Sequence, residues 1–162
     1  MVSNNYVVQI VKPQVGINPE NYKNPETKTY SFPYVVELTL PMPMWDGFNT
    51  QHSVLVDGGR NAMGDFEGTE ISAKLKISPF QWRGLSGEEA KPILQYFTQK
   101  GNFMFFARYF DLISQEFVIR KFYRGDLKVD PHIFIPIKDE QGNIISGKID
   151  FYKLIQMDLI EV

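Results

Sequence analysis

The chain contains no cysteine and only two histidines among its 162 residues. The first absence removes disulfides, thiolate metal ligands and cysteine nucleophiles together, and so excludes a secreted disulfide scaffold. The second leaves general acid–base chemistry with few carriers: His52 lies in a stretch beside Trp45, His132 follows Asp130-Pro131, and both are read as structural. Apolar runs of about 18 residues, the length of a spanning helix, are missing; the longest, such as Phe103 to Ala107, are strand-sized. Met1 to Val11 has no basic region leading into an apolar one and no small-residue cleavage site, so no secretory signal is expected. A charge excess is missing too, since 17 Lys plus Arg against 19 Asp plus Glu give a formal net charge of -2. That offers no global attraction to nucleic acid or to an anionic membrane face.

Motifs that carry chemistry are equally scarce. No serine sits in a Gly-x-Ser-x-Gly elbow, and Gly58-Gly59-Arg60 lacks the spacing of a P-loop or a dinucleotide fingerprint. The acidic turn Asp139-Glu140-Gln141-Gly142-Asn143 shares acids and a glycine with a calcium loop, but its next carboxylate is not at the liganding spacing. The expectation is therefore no enzyme activity, no metal and no cofactor.

What the chain does have is aromatic residues, 14% of the total, with 13 Phe, 8 Tyr and 2 Trp. Together with many Val and Ile they favour pleated sheet. The clearest strand is Glu70 to Ser78, where Ile71, Ala73, Leu75 and Ile77 alternate with polar residues. Others are expected at Tyr6 to Val11, Tyr34 to Leu40, Ser53 to Asp57, Phe103 to Tyr109, Glu116 to Arg124, Ile133 to Ile137 and Lys148 to about Ile160. Phe103 to Phe106 is apolar on both parities and so is placed mid-sheet, covered on both faces. One helix is expected over 87–100. Ser86-Gly87-Glu88-Glu89 forms a capping box, Ala90, Ile93, Leu94 and Phe97 make one apolar stripe, and Pro92 predicts a kink or a start nearer Glu89. The fold class is mainly β, an antiparallel β-sandwich or partly open barrel with one flanking α-helix, in a single domain over 1–162.

Two irregular stretches read as working surfaces, and a third as a connector that favours assembly together with them. Residues 12–33 hold Pro13, Pro19, Pro25 and Pro33 with Asn18, Asn21 and Asn24, a composition read as unable to build a core and taken as an extended, reaching arm. Residues 41–51 form a turn-rich loop whose Met42, Met44, Trp45 and Phe48 need cover. Residues 57–69, with four glycines that permit positive φ at several points, read as a long loop between two strands. Turns are expected at Asp139 to Asn143 and at Ser146-Gly147, making the C-terminal part a hairpin. The candidate subunit-interface residues are Met42, Met44, Trp45, Phe48, Arg60, Pro19, Tyr22 and Pro25. Arg108, Arg120, Lys121, Arg124 and Lys128 interleave with Phe106, Tyr109, Phe122 and Tyr123, superficially like a base-stacking sheet. Alternation sends Arg120, Phe122 and Arg124 to one face and Ile119, Lys121 and Tyr123 to the other, so rings and cations are divided between the faces rather than pooled on one.

The run Gly59-Arg60-Asn61-Ala62-Met63-Gly64 is followed by the strand ending Leu75-Lys76-Ile77. Next come Leu85-Ser86-Gly87-Glu88-Glu89 with its helix, the aromatic strand Phe103 to Tyr109, and Tyr123-Arg124-Gly125-Asp126 before a long last strand. In this order they resemble a family of small tail-region structural proteins of tailed bacteriophages and prophages of Gram-positive bacteria, tail-tube or distal-tail-like. The resemblance covers about Tyr34 to Val162 and departs from the pattern in the arm 12–33 and in an insertion over 131–147. It implies a virion structural subunit at the tail tip or baseplate, present in the host cytoplasm during assembly. Its partners would be copies of itself in a six-fold ring and neighbouring tail proteins. No membrane partner is implied, and DNA in the tail channel would be touched at most non-specifically. It further implies that the helix packs on the sheet, that the arm and the Met42 to Phe48 loop make the ring contacts, and that there are no catalytic residues. Two alternatives stay open: a tail terminator or head-to-tail connector of the virion, and a non-virion module binding nucleic acid or peptide on the Arg120 and Arg124 face.

Overall fold

The computed structural model describes residues 8–43 and 47–162, apart from the side chains of Ile71 and Ser72. In chain order, β1 (Val8–Pro13) leads through a 3-10 turn (Pro19–Tyr22) to the short β2 (Lys23–Asn24) and β3 (Thr29–Tyr30), then to β4 (Tyr34–Leu40). The long pair β5 (Phe48–Arg60) and β6 (Phe66–Trp82) precede β7 (Leu85–Ser86) and α1 (Gly87–Thr98). After α1 come β8 (Met104–Asp111), β9 (Glu116–Arg124), β10 (Lys128–Pro131), β11 (Phe134–Lys138), β12 (Ile144–Ile149) and β13 (Phe151–Glu161). Strand makes up 60% of the chain and helix 11%, in one large antiparallel sheet that does not close into a barrel.

The sheet runs β4-β1-β8-β9-β13-β6-β5, with β7 and β10 also on β13 and the β2–β3 pair on β9; β11 and β12 form a separate two-stranded sheet. It curls strongly. Phe48 of β5, the far end of that order, meets Tyr109 of β8 ring to ring at 5.9 Å. Into the concave side point Phe105, Ala107 and Tyr109 of β8, Phe122 of β9, Leu75, Ile77 and Phe80 of β6, and Ile155, Met157 and Leu159 of β13, all buried. Alternation on half-buried strands dictates this face. Helix α1 adds Ala90, Ile93 and Phe97 to the same core, with Phe97 edge-on to Phe105 at 5.4 Å.

The capping box forms with both bonds: the Ser86 hydroxyl accepts from the Glu89 amide at 3.1 Å, and the Glu89 carboxylate accepts from the Ser86 amide. Pro92 lies inside a helix that still begins at Gly87. The buried stripe, worth about 1.5–3 kcal/mol per large apolar side chain, outweighs the one backbone bond a proline forfeits.

Elsewhere the structure departs from the sequence reading. Residues 12–33 are no reaching arm. They fold back as a strap across the outer face of the sheet, where Tyr30, Phe32, Val11 and Ile119 make a second buried cluster with Phe106 against it. Phe106 is thereby covered, as a mid-sheet residue should be, while Phe103 and Met104 at the strand's start are exposed. Residues 57–69 are no long loop: β5 and β6 stay paired as far as Arg60 and Phe66, leaving only a turn at 61–65. Residues 48–51 of the 41–51 segment likewise belong to β5, and the expected turn at Ser146-Gly147 is inside β12, where Gly147 pairs with Pro136.

Candidate functional site

From Gln51 to Arg60 every residue of β5 is exposed, and so are 66–70 of β6. The twelve-pair ladder between these strands is rooted in the core through Phe48, Phe80, Ile77 and Leu75, and beyond the Ser53–Lys74 pair it runs out of the body as a hairpin. At about 3.3 Å per residue, Val54 to Arg60 project about 20 Å. The hairpin carries Val54, Leu55 and Val56, respectively 46%, 60% and 40% exposed. Val54 and Val56 point to one side and Leu55 to the other, so the hairpin is apolar on both faces and nothing in the described chain covers either. Lone two-stranded hairpins are marginal in water, and this one carries β-branched residues that gain most when packed.

Its turn explains why it holds shape. Asn61 Oδ1 accepts from the amides of Met63 and Asp65 at 3.0 Å each, Asn61 N bonds Asp65 O, and Gly64 takes φ +87. Below the turn, Gly58 pairs with Gly68, and the Phe66 ring lies over Gly68 against Val56 so closely that a Cβ there would strike both.

The β11–β12 hairpin repeats the design. Asp139 Oδ1 accepts from Gln141 N at 3.0 Å and Asn143 N at 2.8 Å, Asp139 N bonds Asn143 O, and Gly142 has φ +84. Here the Phe134 ring lies over Gly147. Phe134, Ile135, Ile137, Ile144 and Ile145 are all exposed. Asp150 fixes its base: one carboxylate oxygen accepts from Ile133 N and Phe151 N, the other meets His132 Nδ1 at 2.9 Å. The bond to His132 and the two amides hold the Asp150 carboxyl below the ordinary carboxylate value, while the His132 ring stacks on Phe151 at 4.3 Å. Between this hairpin and α1 opens a groove of about 660 Å³.

The expected interface residues scatter. Phe48 is 3% exposed and belongs to the core, which corrects its reading as a loop residue awaiting a partner. Met42 packs against the same core, tethered by Trp82 Nε1 donating to Pro41 O at 2.7 Å. Met44 and Trp45 lie outside the described residues. Pro19, Tyr22 and Pro25 are on the strap, Tyr22 exposed and Pro19 half-buried. Arg60 does sit on the projecting hairpin, its guanidinium donating to Gly64 O at 2.8 Å.

Arg120 is not on an open face. Its side chain is 12% exposed and pairs with Glu161 at 2.9 Å and Asp111 at 3.2 Å, while also donating to Thr27 O of the strap. Burial opposes the guanidinium charge, but Tyr109, Glu161 and Asp111 around it outweigh that and raise its pKa. Arg124 faces the same way, donating to Phe97 O and Gly125 O. The division between faces follows alternation, with Lys121 and Ile119 outside and Arg120, Phe122 and Arg124 inside; on the outer face Arg108 stands 4.5 Å over Phe117 and Lys121 5.7 Å over Phe106. Those pairs are satisfied within the chain.

The sequence reading takes 57–69 as a loop, with Arg60 as its interface residue, and the C-terminal hairpin as a plain turn; it does not single out the exposed apolar strands of the two hairpins. The signal was present, because Asn61-Ala62-Met63-Gly64-Asp65 has the Asx-x-x-Gly-Asx form of the turn recognised at Asp139 to Asn143. No metal-holding cluster of His, Asp and Glu occurs among the described residues. Comparison with known protein families, with curated proteins and with solved structures finds no match.

Proposed function

We propose that this chain is a structural subunit that works by assembling with copies of itself, in the setting the sequence resemblance implies, a bacteriophage tail at its tip or baseplate. The observation that carries the assembly reading is the β5–β6 hairpin, whose apolar residues face both ways with no cover from the described chain. Exposed apolar patches on rigid elements mark interaction surfaces, and covering both faces of one hairpin takes two contacts, as a ring or tube provides.

The phage-tail placement rests on the ordered sequence pattern. A head-to-tail connector would use the same surfaces. The nucleic-acid alternative loses its intended face, because Arg120 is engaged by Asp111 and Glu161 inside the fold.

The test is analytical ultracentrifugation of the purified chain, then labelling of washed particles with an antibody against it. Concentration-dependent rings and a label at one tail end are expected, the end deciding between tip and neck. A chain that stays monomeric and is absent from particles overturns the proposal.

A further inference from the structure

Resting on that assembly reading, we infer that the groove between α1 and the β11–β12 hairpin is the socket for the tip of the β5–β6 hairpin of a second copy of this chain. A ring built head to tail needs two different, complementary surfaces on every subunit. This chain carries one that projects and one that is concave. The projecting tip exposes Met63 at 87% and Phe66 at 64%. The groove, at about 660 Å³, is walled by Leu94 of α1 and by Phe134, Ile135 and Ile149 of the hairpin, with Tyr152 beside them. Its size falls within the roughly 300–1,000 Å³ of sites that enclose a compact apolar group.

Charge selects the pairing. The tip carries Asp57, Asp65 and Glu67 against one cation, Arg60. Glu67 already accepts from Asn61 Nδ2, and Arg60 is turned to Gly64 O. Among the described residues Asp57 and Asp65 meet no cation, and Lys91 and Lys148, which line the groove, meet no carboxylate. The groove's own acids are otherwise placed: Asp150 is held by His132 and two amides, and Glu88 sits in the first turn of α1, where a negative charge suits the helix end. A tip-to-tip contact would instead set acid against acid. Insertion of Met63 and Phe66 would bury apolar surface on both sides and place Asp57 and Asp65 near the two lysines.

Because the chain has no cysteine, single-cysteine variants report contacts cleanly. Full-length Met63→Cys and Lys91→Cys proteins are mixed under assembling conditions and treated with a short bis-maleimide. A mixed dimer is expected that neither variant gives alone. Assemblies that form normally without the mixed cross-link, or that cross-link Met63→Cys to itself, overturn the socket while leaving self-assembly intact. A wild-type chain that never assembles overturns the assembly reading itself. Charge reversal gives a second measurement: Lys91→Glu with Lys148→Glu should weaken association at least about tenfold, and Asp57→Lys with Asp65→Lys on the other copy should restore it. Weakening without restoration counts against the pairing.

Discussion

The strap over 12–33 and the hairpin over 51–70 exchange the roles their compositions imply. The strap is rich in proline and asparagine, yet it is tied down at many points. Gln14 N bonds Pro33 O at its neck, Asn18 and Asn24 cap its turns, Lys28 Nζ reaches Ala73 O at 2.7 Å, and Arg120 holds Thr27 O at 2.6 Å. Two aromatic rings, Tyr30 and Phe32, stack edge-on to Phe106 at 5.0 and 4.9 Å and anchor it. The hairpin holds the valines and leucine of an ordinary core strand, yet it buries none of them. Burial follows from whether the chain supplies an opposing face, and prolines or glycines decide only the path taken to it.

The strongest way to test that contrast is to remove the hairpin's outer part. Replacing residues 54–73 with an Asn-Gly turn between the paired Ser53 and Lys74 removes no residue of the main core cluster and, of the strap's ties, only the bond from Lys28 Nζ to Ala73 O. The excised protein should stay folded by circular dichroism and unfold cooperatively, while assembly in the ultracentrifuge is lost entirely. An excised chain that assembles normally would show that the contacts are made elsewhere.

A graded version compares single truncations. Phe32→Ala on the strap should cost about 3–5 kcal/mol in denaturant unfolding, the range for emptying an aromatic site. Leu55→Ala on the hairpin should change monomer stability by no more than about 0.5 kcal/mol but weaken association. Equal stability losses at the two positions would erase the distinction between them.

Much of the body was legible in advance. Alternation located β6, β8 and β9, and the capping box placed α1 to within two residues of its end, because those signals depend on neighbours in sequence. The strap was misread because its anchor, Phe106, lies more than seventy positions away and Tyr30 and Phe32 are only two rings in a polar segment. Phe48 was misread for the same reason: only the curl of the sheet brings it to Tyr109. The hairpin was misread because four glycines between Asp57 and Gly68 suggest a loop, whereas Gly58 and Gly68 face each other across a ladder that leaves no room for a side chain.

Alkali should loosen the strap before the hairpin. Burial, then the charge and hydrogen bond of Glu20, push the Tyr30 phenol up to about 12 from 10.0. A raised folded-state value means that stability is complete below pH 10 and is lost as pH rises from there toward 12. Solvent around the Glu20 contact screens the effect, so the loss is smaller than the full shift would give. Tyr30→Phe should remove this part of the pH dependence, read as the difference between the two proteins' denaturation midpoints from pH 9 to 12. Parallel midpoints over that range would show that Tyr30 does not report on strap closure.

The smallest effect concerns the second hairpin, which differs from the first in having a clamp at its base. Asp150 accepts from an amide on each leg, Ile133 N and Phe151 N, besides meeting His132. A lowered folded-state value means its contribution is present above the ordinary carboxylate range and lost as pH falls through its own lowered value. Asp150→Asn keeps the size of the group but weakens two charge-assisted bonds. It should speed hydrogen exchange at the amides of Ile133 and Phe151 severalfold while leaving the exchange of β8 and β9 unchanged. The β5–β6 hairpin has no such carboxylate clamp among the described residues and continues out of the sheet on the same two strands. It should therefore respond to neither the substitution nor the acid, and a parallel change in both hairpins would mean that Asp150 acts through the body of the fold rather than at the hinge.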